Sequence, residues 1–299
     1  MPGLSEGYVP QLFHLMVQST GALVRSPSHS RRAEARRRLA RRSVTQLARP
    51  PSHPRRAVAA RRLARQMLLI AAVGGAAVIA LMAGFDATEI ALMPPRGTAS
   101  LWPVRILTDF GKDANVLCLL ATMLLIVALV SPRLEGASRL RLLSFGTRLQ
   151  FLFFAVLLPL LSGELIKWVV GRGRPFVGGK ANPFNFRPFA GTEAYFSFPS
   201  AHAITAFALA FAVAALWPRA RVAMVVYALL IATSRLVLLA HHPSDVVAGA
   251  LIGVIGAMLV RYWFAARCLL FAIRRDGEIV PFRSAFRHLK RVAHAPSAP

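Results

Sequence analysis

The chain has 299 residues, of which 56% are hydrophobic, and a formal net charge of +25. Apolar residues gathered in long blocks with few charges are typical of membrane proteins and argue against a soluble globular domain. The two cysteines, Cys118 and Cys268, share no motif spacing. We therefore expect neither a disulfide framework nor a thiolate metal site. The distribution of the positive charge has to decide among nucleic acid, anionic lipid and membrane topology as its cause.

The first segment, residues 1–66, is rich in Arg, and Pro50, Pro51 and Pro54 interrupt any long helix in it. The segment predicts a disordered cytoplasmic tail whose basic residues contact anionic lipid weakly. Nucleic-acid binding is not expected, because the segment lacks interleaved aromatic residues and a recognisable fold. No apolar stretch lies near the start, so the segment does not resemble a cleavable signal peptide.

Six apolar stretches follow, and several approach the ~20 residues that cross ~30 Å of hydrocarbon. They cover residues 67–85, 115–131, 149–170, 200–217, 221–240 and 245–265. This pattern predicts an all-α polytopic membrane protein with about six transmembrane helices, in which spans 3 to 6 form a bundle. The membrane domain is expected over residues 67–266, and a basic cytoplasmic tail over residues 267–299.

Basic residues predict the orientation of these spans. The Arg-rich connections are the N-terminal segment, the connections 2–3 and 4–5, and the C-terminal tail. The positive-inside rule therefore places both termini in the cytoplasm and the connections 1–2, 3–4 and 5–6 outside. Connection 3–4 breaks the rule, with Arg172, Arg174, Lys180 and Arg187 against Glu193. Cations kept on the unexpected side of the membrane indicate a binding role.

Three motifs meet at this outer face of the predicted bundle. They are "KWVVGRGRP" from Lys167 to Pro175, "FPSAH" from Phe198 to His202, and "SRLVLLAHHPSD" from Ser234 to Asp245. Taken singly, each motif has a purely structural explanation: a Lys that reaches the headgroups, a helix cap, or a buried Arg–Asp pair. In the first motif, Gly171 and Gly173 either end the helix or let the backbone approach a ligand closely.

The third motif is the hardest to explain by structural roles alone. An Arg at the centre of a span costs roughly 2.5–3.5 kcal/mol on insertion scales, so Arg235 needs a partner or a wet cavity. Pro243 fits the first position of span 6, which places Asp245 in the first helical turn. From there its carboxylate can reach back to His241, fix the imidazole tautomer and leave the other ring nitrogen free to attack.

A bound phosphate would explain the three motifs together. Its ligands would be Lys167, Arg174, Arg235, Ser200 and the helix N-terminus at Ser200. The remaining histidines, His202 and His241, are a possible acid and nucleophile. We see no carboxylate set suited to Mg²⁺ and no Cys/His zinc spacing, so neither a metal nor a cofactor is expected.

The motifs and their order resemble those of the type 2 phosphatidic acid phosphatase superfamily, which also includes vanadium-dependent haloperoxidases. The family pattern is K-x6-RP, then PSGH, then SR-x5-H-x3-D. Its counterparts here are Lys167-x6-Arg174-Pro175, then Pro199-Ser200-Ala201-His202, then Ser234-Arg235-x5-His241-x3-Asp245. Ala201 replaces the glycine of the second motif, and Leu239 replaces a glycine often found two residues before the third-motif histidine.

The resemblance implies a role for each matched residue. His241 would be the nucleophile that forms a phosphohistidine, Asp245 would orient it, and His202 would protonate the leaving group and activate water. The phosphate would be held by Lys167, Arg174, Ser200, Arg235 and the backbone N–H of Ala201. His242 would be a neighbour without a role in the reaction.

The resemblance also implies a membrane lipid phosphatase, in the bacterial inner membrane, acting at the periplasmic face. Its substrate would be a lipid phosphate such as phosphatidic acid, phosphatidylglycerophosphate, undecaprenyl diphosphate or a lipid A phosphate. One alternative is a phosphotransferase that passes the phosphoryl group to another lipid through the same residues. A second, from a different class, is a lipid transporter or binding protein whose buried charges line a path. A haloperoxidase would need vanadate and is usually soluble, which the six spans argue against.

Overall fold

The computed structural model describes residues 47–48, 50–94, 98–175, 177–178 and 182–282, all within the unit Gln46–Pro299. Eight α-helices and one small hairpin make up this part of the chain. They are α1 (Arg56–Gly84), α2 (Asp86–Leu92), α3 (Trp102–Asp109), α4 (Asp113–Val130), α5 (Gly136–Val170), α6 (Ala201–Leu216), α7 (Arg221–Val237), α8 (Pro243–Ala266), β1 (Phe271–Ile273) and β2 (Ile279–Pro281).

The predicted tails differ from the structure where residues are described. Of the tail expected over residues 1–66, residues 1–46 lie outside the described part, and α1 already begins at Arg56. Ala, Leu and Arg are strong helix formers, and they dominate the first turns of α1. At the other end, β1 and β2 occupy the start of the segment expected as a C-terminal tail.

Five helical segments in the described part of the chain are long and apolar enough to cross a membrane. They are Arg56–Gly84, Ala99–Arg133, Gly136–Val170, Pro218–Val237 and Pro243–Ala266. When α6 is counted with these segments, three of the connections between consecutive helices are short, namely 134–135, 217 and 238–242, as expected for neighbouring helices of a bundle. The prediction of an all-α polytopic membrane protein is confirmed, and the chain is an integral membrane protein.

The fourth predicted span is shorter than the others. The sequence predicts it over 200–217, whereas α6 has 16 residues, or about 24 Å at 1.5 Å per residue. This helix packs against α5, α7 and α8, and half of its length is buried alanine, isoleucine or threonine. It therefore lies inside the bundle that the sequence predicted for spans 3 to 6.

The crossing of α6 and α8 depends on small residues. A Cβ added to Gly249 would lie 2.5 Å from the carbonyl oxygen of Ser200, and one added to Gly253 would lie 2.4 Å from that of Ile204. The two glycines are four residues apart, so they share one face of α8 and let the backbones approach closely. This close approach holds the start of α6 beside the start of α8.

An aromatic cluster closes the other end of the bundle. The Phe151 ring lies edge-on to those of Phe264 and Phe271, with centroids 5.3 Å and 5.0 Å away. The hairpin is tied to α1 by an ion pair of 2.9 Å between Arg62 and Asp276. The three sequence motifs all lie at the opposite end of the bundle: at the end of α5, at the start of α6, and in the turn between α7 and α8.

The end of α5 is set by a glycine in the left-handed region. Gly171 has a φ of 56° and caps α5 through a hydrogen bond from its N–H to the carbonyl of Lys167. A Cβ at this position would lie 1.8 Å from the carbonyl oxygen of Arg187. The close approach is therefore to the backbone of the connection between α5 and α6. Of the two alternatives that the sequence left open for Gly171, the structure shows the first, in which the glycine ends the helix.

Candidate active site

The central residue of the site is His241, in the turn between α7 and α8. It is 3% exposed, and its Nδ1 lies 2.8 Å from the carbonyl oxygen of Ser197. A carbonyl only accepts hydrogen bonds, so Nδ1 donates and carries the ring proton. The Nε2 of the neutral ring then keeps its lone pair, which is the form that a nucleophilic histidine requires.

The electrostatic surroundings of His241 favour this neutral form. Burial holds the pKa of the imidazole well below its ordinary value, and the positive charges of Arg235, Arg174 and Lys167 lower the pKa further. The hydrogen bond to Ser197 acts in the opposite direction and does not outweigh them. We call Lys167, Arg174 and Arg235 the cation cluster.

The predicted direct bond between Asp245 and His241 is not formed in the structure. The closest approach, from Asp245 Oδ2 to His241 Nδ1, is 4.0 Å, beyond hydrogen-bonding distance. Oδ2 instead accepts from the backbone N–H of His242 at 2.9 Å and from the hydroxyl of Ser197 at 2.6 Å. The reason is helix capping: His242 is the N-cap of α8, and Asp245 reaches back to its N–H from the third helical position.

Asp245 thus acts on His241 through Ser197. The Ser197 hydroxyl donates to Asp245, and the carbonyl of the same residue accepts from His241. Ser197 was missed in the sequence because a serine five residues before a histidine carries no pattern of its own.

Each member of the cation cluster has a different setting. Lys167, 7% exposed at the end of α5, places its Nζ 2.5 Å from Glu164 Oε1. Arg174 donates to the carbonyl of Glu193 at 3.0 Å and pairs with its carboxylate at 3.1 Å. Arg235, on the last turn of α7, donates to the hydroxyl of Thr108 at 2.9 Å. The structure therefore brings the three cations of separate helices and loops toward one histidine.

The start of α6 supplies the remaining predicted residues. Ser200 is its N-cap, Ala201 its first residue and His202 its second. The backbone N–H of Ser200 donates to the carbonyl of Asp245 at 3.0 Å, which joins the second motif to the third. The buried Ser200 hydroxyl has no hydrogen-bond partner among the described residues. The cation cluster and Lys112 also act electrostatically on the His202 imidazole, so both histidines share one positive environment.

A further set of buried side chains supports the site, and Asp245 is its only member that the sequence predicted as a site residue. We call it the buried network, and its members are Asp86, Arg172, Ser197, Ser244 and Asp245. Arg172 is fully buried, and each of its five N–H groups has a partner. The available signals were slight: an Asp directly after the first apolar span, and an Arg two residues before the motif Arg174.

Nothing in the described residues resembles a metal site: no group of three or more His, Cys, Asp or Glu side chains is arranged to hold an ion. The chemistry available at the site comes from cations, hydroxyls, a helix N-terminus and two histidines. Fixed cations around a neutral histidine are suited to a phosphoryl group, whose equatorial oxygens carry negative charge.

Comparison with known proteins agrees with this geometry. Residues 148–268 match the model of a family described as "PAP2 superfamily". The chain is 40% identical over 127 residues to a protein of Rhizobium johnstonii (strain DSM 114642 / LMG 32736 / 3841) named Lipid A 1-phosphatase. That alignment covers 42% of this chain and 52% of the relative, so the chain matches about half of that protein's length.

A second relative is covered almost completely. It is a protein of Rhizobium etli (strain ATCC 51251 / DSM 11541 / JCM 21823 / NBRC 15573 / CFN 42), also named Lipid A 1-phosphatase, and is 32% identical over 214 residues. The alignment spans 71% of this chain and 90% of the relative. No solved structure matches the chain. The resemblance drawn from the three sequence motifs is confirmed: the chain belongs to the PAP2 superfamily.

Proposed function

We propose that this protein is an integral membrane phosphatase that releases phosphate from a lipid phosphate through a phosphohistidine intermediate on His241. The observation that carries the proposal is the setting of His241: a buried, neutral imidazole whose Nδ1 is fixed by a carbonyl, within reach of three positive charges. Membership of the PAP2 superfamily and the names of both relatives support a phosphatase acting on a lipid.

The proposed reaction has two steps. The Nε2 of His241 attacks phosphorus, the bond from phosphorus to the lipid oxygen breaks, and His202, which enters this step as the imidazolium, gives that oxygen a proton. Water then attacks the phosphohistidine, His202 takes a proton from the water, and the bond from phosphorus to Nε2 breaks to release phosphate. The cation cluster, Ser200 and the N–H of Ala201 stabilise the charge on the equatorial oxygens in both steps. These charges are supplied by side chains, and so we propose that no metal is needed.

The substrate class we propose is a saccharolipid that carries a phosphate on its sugar headgroup, with lipid A 1-phosphate as the first candidate. Both relatives are named Lipid A 1-phosphatase, and one of them aligns over 90% of its length. Phosphate bonded to a sugar oxygen suits a site in which a histidine protonates the leaving group.

The site would face the periplasm, with both termini in the cytoplasm. Supporting this orientation, Arg133 follows α4 and Arg219 precedes α7, both at the end of the bundle opposite His241. In a chain whose two native cysteines are replaced by serine, Thr192→Cys should react with an impermeant maleimide in intact spheroplasts, and Arg219→Cys should react only after lysis. The reverse labelling pattern would contradict the orientation.

The decisive test measures phosphate release by purified protein in detergent across lipid phosphates and diphosphates. His241→Ala should lower the rate at least ~10³-fold, because no other group supplies the nucleophile. His242→Asn is the matched control, since asparagine is a good N-cap and keeps the backbone N–H that donates a hydrogen bond to Asp245. This control should retain activity within a few-fold of the wild type.

Two outcomes would contradict the proposal: full release by His241→Ala, or loss of wild-type activity on adding EDTA. A labelled donor with an added acceptor lipid separates hydrolysis from phosphotransfer. The label should appear as free phosphate in a hydrolase and on the acceptor lipid in a phosphotransferase.

A further inference from the structure

We propose that Asp86 is a positioning residue for His241, acting through Arg172, Asp245 and Ser197. This inference rests on the proposed role of His241 as nucleophile. Asp86 opens α2, just after the first membrane helix, and lies well outside residues 148–268 that match the family. The segment that follows α1 would thereby contribute to the geometry of an active site built from the later helices.

The first link joins Asp86 to the start of α8. Its Oδ1 accepts from the backbone N–H of Ser244 at 3.0 Å, and its Oδ2 accepts from the hydroxyl of the same residue. Ser244 directly precedes Asp245, so this carboxylate holds the first turn of α8 from outside the helix. An acidic group at a helix N-terminus is also favoured by the helix dipole.

The second link is the guanidinium of Arg172. One terminal nitrogen lies 2.8 Å from Asp86 Oδ2, and the other lies 2.5 Å from Asp245 Oδ1. The remaining N–H groups donate to Pro183 and Ser244. A planar guanidinium with every N–H bound cannot rotate without breaking several bonds at once, so it fixes the separation of the two carboxylates.

The third link runs from Asp245 to the imidazole. With Oδ1 held by Arg172, Oδ2 accepts from the Ser197 hydroxyl at 2.6 Å, and the Ser197 carbonyl lies 2.8 Å from His241 Nδ1. A shift of Asp245 would therefore be passed to the carbonyl that sets the tautomer and orientation of the ring. Displacement of a reacting group by about 1 Å can lower a rate about 100-fold.

The charges of the buried network explain why Asp86 matters beyond its contacts. One guanidinium serves two carboxylates, and all three side chains are 0% exposed. Neutralising Asp86 leaves Arg172 free to draw closer to Asp245, which is its only other carboxylate partner among the described residues. Among the described residues, the hydrogen bonds of Asp86 are with Arg172 and Ser244 and not with the cation cluster or Ser200, so phosphate binding should not depend on it.

The test is Asp86→Asn, assayed for lipid phosphate hydrolysis and for competition by inorganic phosphate. We expect kcat to fall about 100-fold, while KM and the inhibition constant of phosphate stay within about threefold of the wild type. Asp86→Asn combined with Arg172→Lys should lose little beyond the single variants, because residues that act as a unit are not additive. If the fold decreases in kcat of the two single variants multiplied in the double variant, the two residues would act independently and the proposal would be overturned.

The matched control is Glu89→Gln on the same short helix. Glu89 is 1% exposed, and neither of its carboxylate oxygens has a hydrogen-bond partner among the described residues. It lies outside the buried network, so this control should keep the wild-type kcat. The proposal is overturned if Asp86→Asn keeps full kcat, or if KM and the phosphate constant worsen as much as kcat falls.

Two further readouts keep the result interpretable. If Asp86→Asn yields no folded protein, Arg172→Lys carries the same test, because a lysine keeps the charge but cannot bridge two carboxylates. The wild type and Glu89→Gln report on the proposed function itself. An inactive wild type contradicts that function, whereas an active wild type beside an unaffected Asp86→Asn contradicts only the positioning role.

Discussion

Two kinds of cation meet at this site, and their surroundings differ. Lys167 and Arg174 of the cation cluster pair with Glu164 and Glu193, whose side chains are 45% and 88% exposed. Arg172 of the buried network pairs with two carboxylates that are 0% exposed. Exposed partners hold a cation weakly, because solvent screens the pair. A cation held in this way can exchange its partner for a phosphate, whereas Arg172 is committed to holding the protein.

This difference predicts that the two kinds of arginine fail in different ways. Arg172→Leu leaves two buried carboxylates without their cation, and breaking a buried pair in this way costs about 3–5 kcal/mol of folding free energy. We expect a large fall in the thermal unfolding midpoint in detergent, together with loss of activity. Additional substitution of Asp86 and Asp245 by Asn should recover part of the lost stability but no activity. An unchanged midpoint in Arg172→Leu would break the comparison.

Arg235→Leu should show the opposite balance. Removing one group that stabilises the transition-state charge lowers kcat/KM by about 10²–10³. The contact to Thr108 is with a neutral hydroxyl, which tolerates loss of a partner better than a buried carboxylate does. The midpoint should therefore fall much less than in Arg172→Leu. Equal losses of stability in the two variants would show that the cation cluster is as structural as the buried network.

Substitution of Glu89 is expected to have the smallest effect on activity and the sharpest effect on how folding stability depends on pH. Burial, helped by the charge of Asp86, raises the pKa of its carboxyl from an ordinary value of 4.5 to about 7. A raised pKa means that the folded state prefers the protonated form. The stability this provides is fully present below pH 4.5 and is lost as the pH rises through 7, by at most about 3 kcal/mol.

Glu89→Gln should remove this loss. Its unfolding midpoint should fall less than that of the wild type between pH 5 and pH 9, with the two curves separating through pH 7. Thermal unfolding in detergent across this range provides the measurement. Parallel curves would mean that Glu89 finds the same surroundings in the folded and unfolded states.

Much of the candidate site could be predicted from the sequence because the proposed phosphate ligands come in short motifs with fixed spacing. The positions of Ser200 as N-cap of α6 and of Asp245 in the first turn of α8 follow from local chain geometry. The prediction of a direct hydrogen bond between Asp245 and His241 was wrong, for a reason that the spacing of the two residues could not show. At four residues apart, one carboxylate can reach either the imidazole or the N-cap N–H, and the contacts of Arg172 and Ser197 decide between them.

The backbone conformation explains how the chain accommodates Leu239, one of its two departures from the family pattern. Leu239, where the family often has glycine, has a φ of 48° and is 1% exposed. A left-handed conformation costs a non-glycine residue roughly 1–2 kcal/mol, whereas fully burying a leucine side chain gains about 1.5–3 kcal/mol. The packing of this side chain therefore offsets the strain, and the turn before His241 keeps the conformation that a glycine would adopt.

Hydropathy and motif spacing are properties of short stretches of chain. The sequence by itself therefore determined that the chain has several apolar spans, and it determined the order of the motifs whose residues we propose to bind phosphate. Only the tertiary structure decided how His241, the proposed nucleophile, is held. Arg172 meets Asp86 and Asp245 across 86 and 73 residues, and such contacts exist only once α1, α5 and α8 pack together. Burial then makes each of these polar groups depend on its partners, so that a residue with no motif becomes part of the active site's support.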